Sequence, residues 1–325
     1  MSTLSVSGAP TIDDLAGTRR ARRPDSLFKA STLGAGLLVL LILAGIAIST
    51  TRDAWPAFQH EGLSFFTTDN WNSTTDSYGA LAIIYGTFVV SAIALFAAVP
   101  VSMGIALFIT EVAPRRVRQG VSSVMDILAA VPSVVFGLWG FLVLKQPIGD
   151  FFNWIADLVS GVPVLNKLFG PSTGTSFMTA GLIVALMITP IITSLLREVF
   201  QTVPTNDKDG ALALGATKWE MIRGVVFPHS TGGIVGSVML GLGRAMGETI
   251  AVALVIGASP QIIANLFGQG EAMPSIIARN LGEAQGLHKS ALIGLGVALF
   301  VLTIAVNMVA RGLVSRIDRR TRGAL

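Results

Sequence analysis

No cysteine occurs in the 325 residues, which excludes disulfides, thiolate metal centres, iron–sulfur clusters and thiol nucleophiles. Histidine is scarce too: His60, His229 and His288 lie far apart and offer no metal-ligand spacing. Charge is the third shortage. Only 13% of residues are Asp, Glu, Lys or Arg, against roughly 25% in an ordinary soluble domain. Five stretches, 30–51, 77–110, 127–144, 168–196 and 290–310, carry no charge at all, and most reach the about 20 residues that a helix needs to cross a bilayer. With 52% hydrophobic residues and a mean hydropathy of +0.69, a soluble enzyme is excluded. A P-loop is missing as well. None of Lys29, Lys145, Lys167, Lys208, Lys218 and Lys289 follows a glycine, so this chain does not place backbone amides and a lysine together around nucleotide phosphates.

What is present reads as an all-α polytopic membrane protein with six spans, at 30–50, 79–110, 117–144, 177–200, 230–258 and 290–311. Six spans put both termini on one side, and that side collects 17 of the 23 Lys and Arg residues against five opposite. The excess of basic residues on cytoplasmic loops makes both termini cytoplasmic. Residues 1–29 and 312–325 are then cytoplasmic basic tails flanking a permease-like domain at 30–311. The Arg19–Arg23 run reads as a topology signal ahead of an uncleaved anchor, not as a nucleic-acid patch. Pro100, Pro132 and Pro190 lie within spans and are expected to kink them. Gly232 with Gly236, and Gly243 with Gly247, form two pairs each four residues apart on span five and are expected to admit a neighbouring helix backbone. Asp126 is expected to bond backbone freed by Pro132, and Trp55, Trp71, Trp154 and Tyr78 to sit at the membrane interface.

The loop 201–229 is the most structured polar stretch. Pro204 ends a span; Thr205 or Asn206 can cap a new helix with Asp207 and Asp209 in its first turn, and Gly215 supplies a left-handed stop. A second start follows at Thr217, whose side chain and that of Glu220 fit a capping box ahead of the Met221, Ile222, Val225, Val226, Phe227 stripe and Pro228. The result is a helix–glycine–helix elbow. Its pattern, Asp209-Gly210-Ala211, then Gly215, then Pro228 thirteen residues on, resembles the EAA loop of permease subunits of binding-protein-dependent ABC importers, where a coupling helix docks on the ATPase. Two departures stand: Asp209 replaces the family's usual Glu and Gly210 its first Ala.

Residues 129–140 (AAVPSVVFGLWG) and 243–252 (GRAMGETIAV) are similar to signatures of phosphate-specific ABC importer permeases, the second to the PstC type. The resemblance implies a type I importer permease of the MetI-like fold in the bacterial inner membrane, forming the pathway for inorganic phosphate. It implies a PstA-type second permease, a PstB-type ATPase dimer and a PstS-type external binding protein as partners. It also implies no cofactor and no catalysis in this chain, ATP and magnesium being bound by the ATPase.

Span five, read as 230–258, centres on Arg244, about 20 Å from either end at 1.5 Å per residue. Such a residue marks a pathway or a pairing role. Glu248, four residues on, shares its helix face and can neutralise it. Two readings stay open: an ion pair that locks packing, or a pathway arginine whose fork binds an oxyanion while Glu248 restrains it. The resemblance favours the second. Other classes also stay open: a permease for sulfate or molybdate, or an ion-coupled carrier without an ATPase, against which the elbow argues.

Overall fold

The structure, a computed structural model, describes the backbone of residues 22–322 and the side chains of 27–312. Residues 1–21 and 323–325 of the expected basic tails lie outside the described residues, whereas 22–29 already form helix. Among the described residues, six helices are long and apolar enough to cross a membrane: 27–61, 81–112, 133–159, 177–201, 218–246 and 286–312. Contacts divide the chain into residues 1–52 and 53–325. The first unit holds the apolar part of α1 (Arg22–Glu61), with the leucine-rich run 37–43.

In the second unit α2 (Ser64–Thr67) and a two-residue hairpin, β1 (Trp71–Asn72) with β2 (Ser77–Tyr78), lead into α3 (Leu81–Leu107). A π turn, Phe108–Val112, extends α3, and α4 (Arg115–Ala130) follows. Then come α5 (Ser133–Trp139), α6 (Lys145–Val159), α7 (Pro163–Leu168) and α8 (Phe177–Gln201). The elbow helices α9 (Thr205–Ala213) and α10 (Lys218–Met221) precede α11 (Phe227–Met246), α12 (Ile250–Val255), α13 (Met273–Asn280) and α14 (Gly286–Arg322).

Two expected spans are corrected. The stretch 117–144 is not one helix: Val131 and Pro132 are extended at ψ 127° and 140°, separating amphipathic α4 from α5, and the apolar helical run is 133–159. Proline disfavours helical backbone at the residue before it, and here that preference wins, whereas Pro100 and Pro190 stay inside α3 and α8. Asp126 accordingly sits exposed on α4, bonded to no described group. The stretch 230–258 also breaks, at Gly247–Thr249.

α3 packs lengthwise on α8. Lipid offers no hydrophobic drive between helices, so close van der Waals fit must hold the pair. Small residues supply it: Ala94 and Ala98 on α3 are buried against Ile183, Ile188 and Ile192 of α8 in one core. α11 joins α8 through Gly233, Ser237 and Gly241, spaced by four; added Cβ atoms at the two glycines would lie 2.4 Å from Val199 and 2.5 Å from Ile192. The glycines expected to pack, 232, 236 and 243, have nothing within 4 Å of an added Cβ and face the opposite way.

The segment 259–289 folds back onto the head of this core. Phe177 N–H donates to the Gly268 carbonyl (3.1 Å) and Met273 N–H to Thr87 Oγ1 (2.9 Å). Gly86 permits this, because its Cβ would fall 1.8 Å from the Glu271 carbonyl oxygen. Glu271, 2% exposed, pairs with Arg279 and accepts from Ser275 Oγ and its neighbour Ala272 N–H (3.0 Å). Tyr78, expected at an interface, is buried: its ring stacks on His288 at 5.6 Å and its hydroxyl donates to Asp76 Oδ1 (3.1 Å).

Candidate functional site

Arg244 stands in the last turn of α11, exposed, and its side chain lines a groove of about 1050 Å³ between α11 and α14. One wall is Gly232, Gly236 and Gly243; the other holds Asn307 and Arg311, one helical turn apart on α14. Among the described residues, no carboxylate lines it. Asn307 Nδ2–H donates to the Thr303 carbonyl at 2.9 Å, while the guanidinium groups of Arg244 and Arg311 have no ion pair or hydrogen bond with any described side chain. Two forked donors over a glycine-smooth wall suit an oxyanion in passage: planar guanidinium matches such oxygens two at a time, and small walls leave width.

Glu248 is not in that groove. The expected pairing with Arg244 presumed a continuous helix, but α11 ends at Met246. Glu248 is 8% exposed and turned inward, and its Oε1 accepts from Ala251 N–H at 3.4 Å, at the start of α12. The break therefore separates the two charges: the cation faces the groove and the carboxylate caps a new helix. Asn307 and Arg311 escaped the sequence reading because they lie a whole span away; the available signal was their four-residue spacing with Ile304 and Met308 on one face.

The elbow forms largely as expected. Gly215 has φ +88° and ends the first helix in the left-handed region that glycine adopts without penalty. Thr217 N–H donates to Glu220 Oε2 at 2.8 Å and Glu220 N–H to Thr217 Oγ1 at 3.3 Å, closing the capping box. Met221, Ile222 and Val226 are buried. Two details differ. Neither Thr205 nor Asn206 caps α9, which starts after Pro204 with no side-chain bond, and only Asp207 lies in its first turn. Pro228 sits inside helix, tolerated because the preceding π turn, Ile222–Val226, relaxes the carbonyl ladder that its ring would otherwise strike.

The outer face of the elbow is apolar and bare: Leu214 is 91% and Trp219 60% exposed, beside exposed Asp209 and Gly210, with Ala211 half-buried behind them. An exposed leucine and tryptophan on a rigidly capped turn are what a docking surface needs.

The stretches 129–140 and 243–252 meet. α5 packs on α12, and Gly137 lies so close that its Cβ would stand 2.6 Å from Ala251 Cα. Gly140, in the π turn that follows, faces Ile183 and Val255.

Comparison with known proteins gives the family and the fold. Residues 98–323 match the family described as binding-protein-dependent transport system inner membrane component. The phosphate transport system permease protein PstC of Mesorhizobium japonicum is 43% identical, over 94% of both chains. PstC of Haemophilus influenzae is 42% identical over 92% of this chain and 95% of its own. PstC 2 of Mycobacterium tuberculosis is 39% identical over 91% and 93%. Among solved structures, a bacterial ABC transporter involved in the import of the acidic polysaccharide alginate superposes with TM-score 0.54 at 17% identity, covering 92% of this chain and 98% of that one. The inward-facing MetNI methionine ABC transporter gives 0.51 at 14%, covering 76% and 99%. These two share the fold. The chain is thus a multi-pass membrane protein that belongs to the binding-protein-dependent transport system inner membrane components, within the PstC group of phosphate transport permeases.

Proposed function

We propose that the chain is the permease subunit of an ATP-driven importer and forms one half of a membrane pathway for inorganic phosphate. The observation that carries this is the 43% identity to a phosphate transport permease along 94% of both chains. The basic groove of Arg244 and Arg311 supports it, since it gives a dianionic oxyanion forked donors, with no carboxylate among its described lining residues to repel it. In this reading a PstA-type permease supplies the facing wall and a PstS-type protein delivers phosphate from outside. A PstB-type ATPase dimer binds ATP and magnesium and docks on the elbow through Leu214 and Trp219. Both termini face the cytoplasm, as the basic residues require. The chain performs no covalent chemistry. ATP-driven closure of the ATPase moves the elbow, the groove turns from inward to outward access, and hydrolysis resets it.

The test is uptake of labelled phosphate into vesicles of bacterial membrane lipid holding the chain with these partners, beside Arg244→Gln, with excess sulfate or molybdate as competitor. ATP-dependent uptake that resists both competitors and is lost in an assembled Arg244→Gln complex supports the proposal. Suppression by sulfate or molybdate assigns a wider oxyanion permease. Uptake without ATP makes the chain an ion-coupled carrier, and full uptake by the variant removes Arg244 from the pathway.

A further inference from the structure

The elbow carries a charge on its inner side that docking does not need. Lys208 of α9 turns away from the apolar face, its side chain only 15% exposed, and its Nζ lies 2.6 Å from Glu111 Oε1. Glu111 is 8% exposed and belongs to the π turn that ends α3. The same ammonium lies 3.4 Å from the Phe200 carbonyl in the last turn of α8. One side chain therefore ties the elbow to the ends of two helices that pack lengthwise on each other. The neighbouring residue Thr110 accepts Arg118 Nη2–H at 3.0 Å through its carbonyl, fastening α4 to the same point. Among the described residues, Lys208–Glu111 is the elbow's only ion pair to another element.

A mostly buried pair of this kind gains little over an apolar contact in stability, because both charges lose water. What it adds is directional resistance to separation. Apolar surfaces slide past each other, whereas an ammonium held by a carboxylate and a carbonyl does not slide without leaving a charge dry and unpaired. We propose that the Glu111–Lys208 pair is the link that carries elbow displacement into α3 and α8, making both residues positioning residues for transport and neither a docking residue. This rests on the reading that a separate ATPase moves the elbow.

The test uses the assembled complex in vesicles and compares Lys208→Met, Glu111→Gln and the reversed pair Lys208→Glu with Glu111→Lys. Three quantities are read: ATPase co-purified, ATP hydrolysed, and phosphate taken up per ATP. The single variants are expected to keep the ATPase and its hydrolysis while uptake per ATP falls about tenfold, and the reversed pair to regain part of that loss, because it restores the ion pair but leaves the Phe200 carbonyl without its donor. Singles with normal uptake per ATP overturn the proposal. So does a reversed pair that assembles yet transports no better than the singles. Singles that lose the ATPase while the reversed pair holds it overturn it too, by assigning the pair to docking. If the singles fail to fold, the reversed pair and Lys208→Arg, which keeps the charge, still decide: near-full coupling in Lys208→Arg with partial coupling in the reversed pair supports the link, and assembled but uncoupled complexes refute it. Failure of the broader reading is visible separately, as ATP-independent uptake by the unaltered complex.

Discussion

Gly86→Ala is the sharpest probe of how the head of the core is closed. The new methyl would fall 1.8 Å from the Glu271 carbonyl oxygen and 3.1 Å from Phe177 Cε1. Non-bonded heavy atoms rest at roughly 3.5 Å, so the segment must retreat by about 1.7 Å. The atom it meets is backbone, which is held on both sides. Glu271 is fixed by Arg279, Ser275 and the Ala272 amide, and Met273 by Thr87. Overpacking of this kind costs about 1–3 kcal/mol, at the upper end where nothing flexible can give. Replacing a helical glycine by alanine also returns about 1 kcal/mol of helix propensity, which would blur the result. Gly104→Ala, on the same helix with nothing within 4 Å, carries that gain without the clash. The difference between the two variants is therefore the steric cost alone. Thermal unfolding of the purified chain in detergent should place Gly86→Ala a few degrees below Gly104→Ala, taking roughly 1.5 °C per kcal/mol for a chain of 325 residues. Equal midpoints would refute the account, because the close approach of Glu271 to α3 would then not be needed for the fold.

Thr217→Ala removes one arm of the capping box and should cost about 1 kcal/mol, visible as faster amide exchange at Lys218–Met221 with α11 unchanged. Arg279→Gln leaves the Glu271 carboxylate buried with two neutral donors; since Arg279 is itself part-exposed, the loss should be about 2–3 kcal/mol, below that of a fully buried broken pair, and read as a lower midpoint at neutral pH. Tyr78 has its pKa pushed up to about 12, first by burial and then by its bond to Asp76 and the charges of Asp76 and Glu61. The folded chain thus holds this proton more tightly than the unfolded one, so the contribution is complete below pH 10 and disappears between about 10 and 12. Tyr78→Phe should flatten that part of the stability profile, and an unchanged profile would show that another group causes the alkaline loss.

Local signals were legible and relational ones were not. The elbow could be read because its determinants act within three or four residues: Thr217 with Glu220, and Gly215 alone. Hydropathy found six apolar helices because the bilayer tests each stretch separately. It misread 117–144 because no charge separates α4 from α5, and only the extended backbone at Val131 and Pro132 does. The Arg244–Glu248 pairing was a correct rule for a helix that ends two residues after Arg244. Which small residues touch a helix could not be told from spacing: Gly232 and Gly236 are four apart, and so are Gly233, Ser237 and Gly241, yet α8 sits against the second set. The groove required α14, and the Lys208 link required the end of α3, both contributed by distant chain.

The contact of Gly137 with Ala251 ties the evolutionary freedom of two stretches that the chain otherwise keeps far apart. With 2.6 Å between a hypothetical Cβ and the Ala251 Cα, a backbone atom that every residue carries, position 137 cannot gain a carbon unless the opposite helix shifts. Substitutions in 129–140 and 243–252 are therefore not independent trials. A transplant of 129–140 from a homologous permease should work when it keeps glycine at 137, and a donor stretch with any larger residue there should need 243–252 moved with it, so that the two helices keep their own spacing.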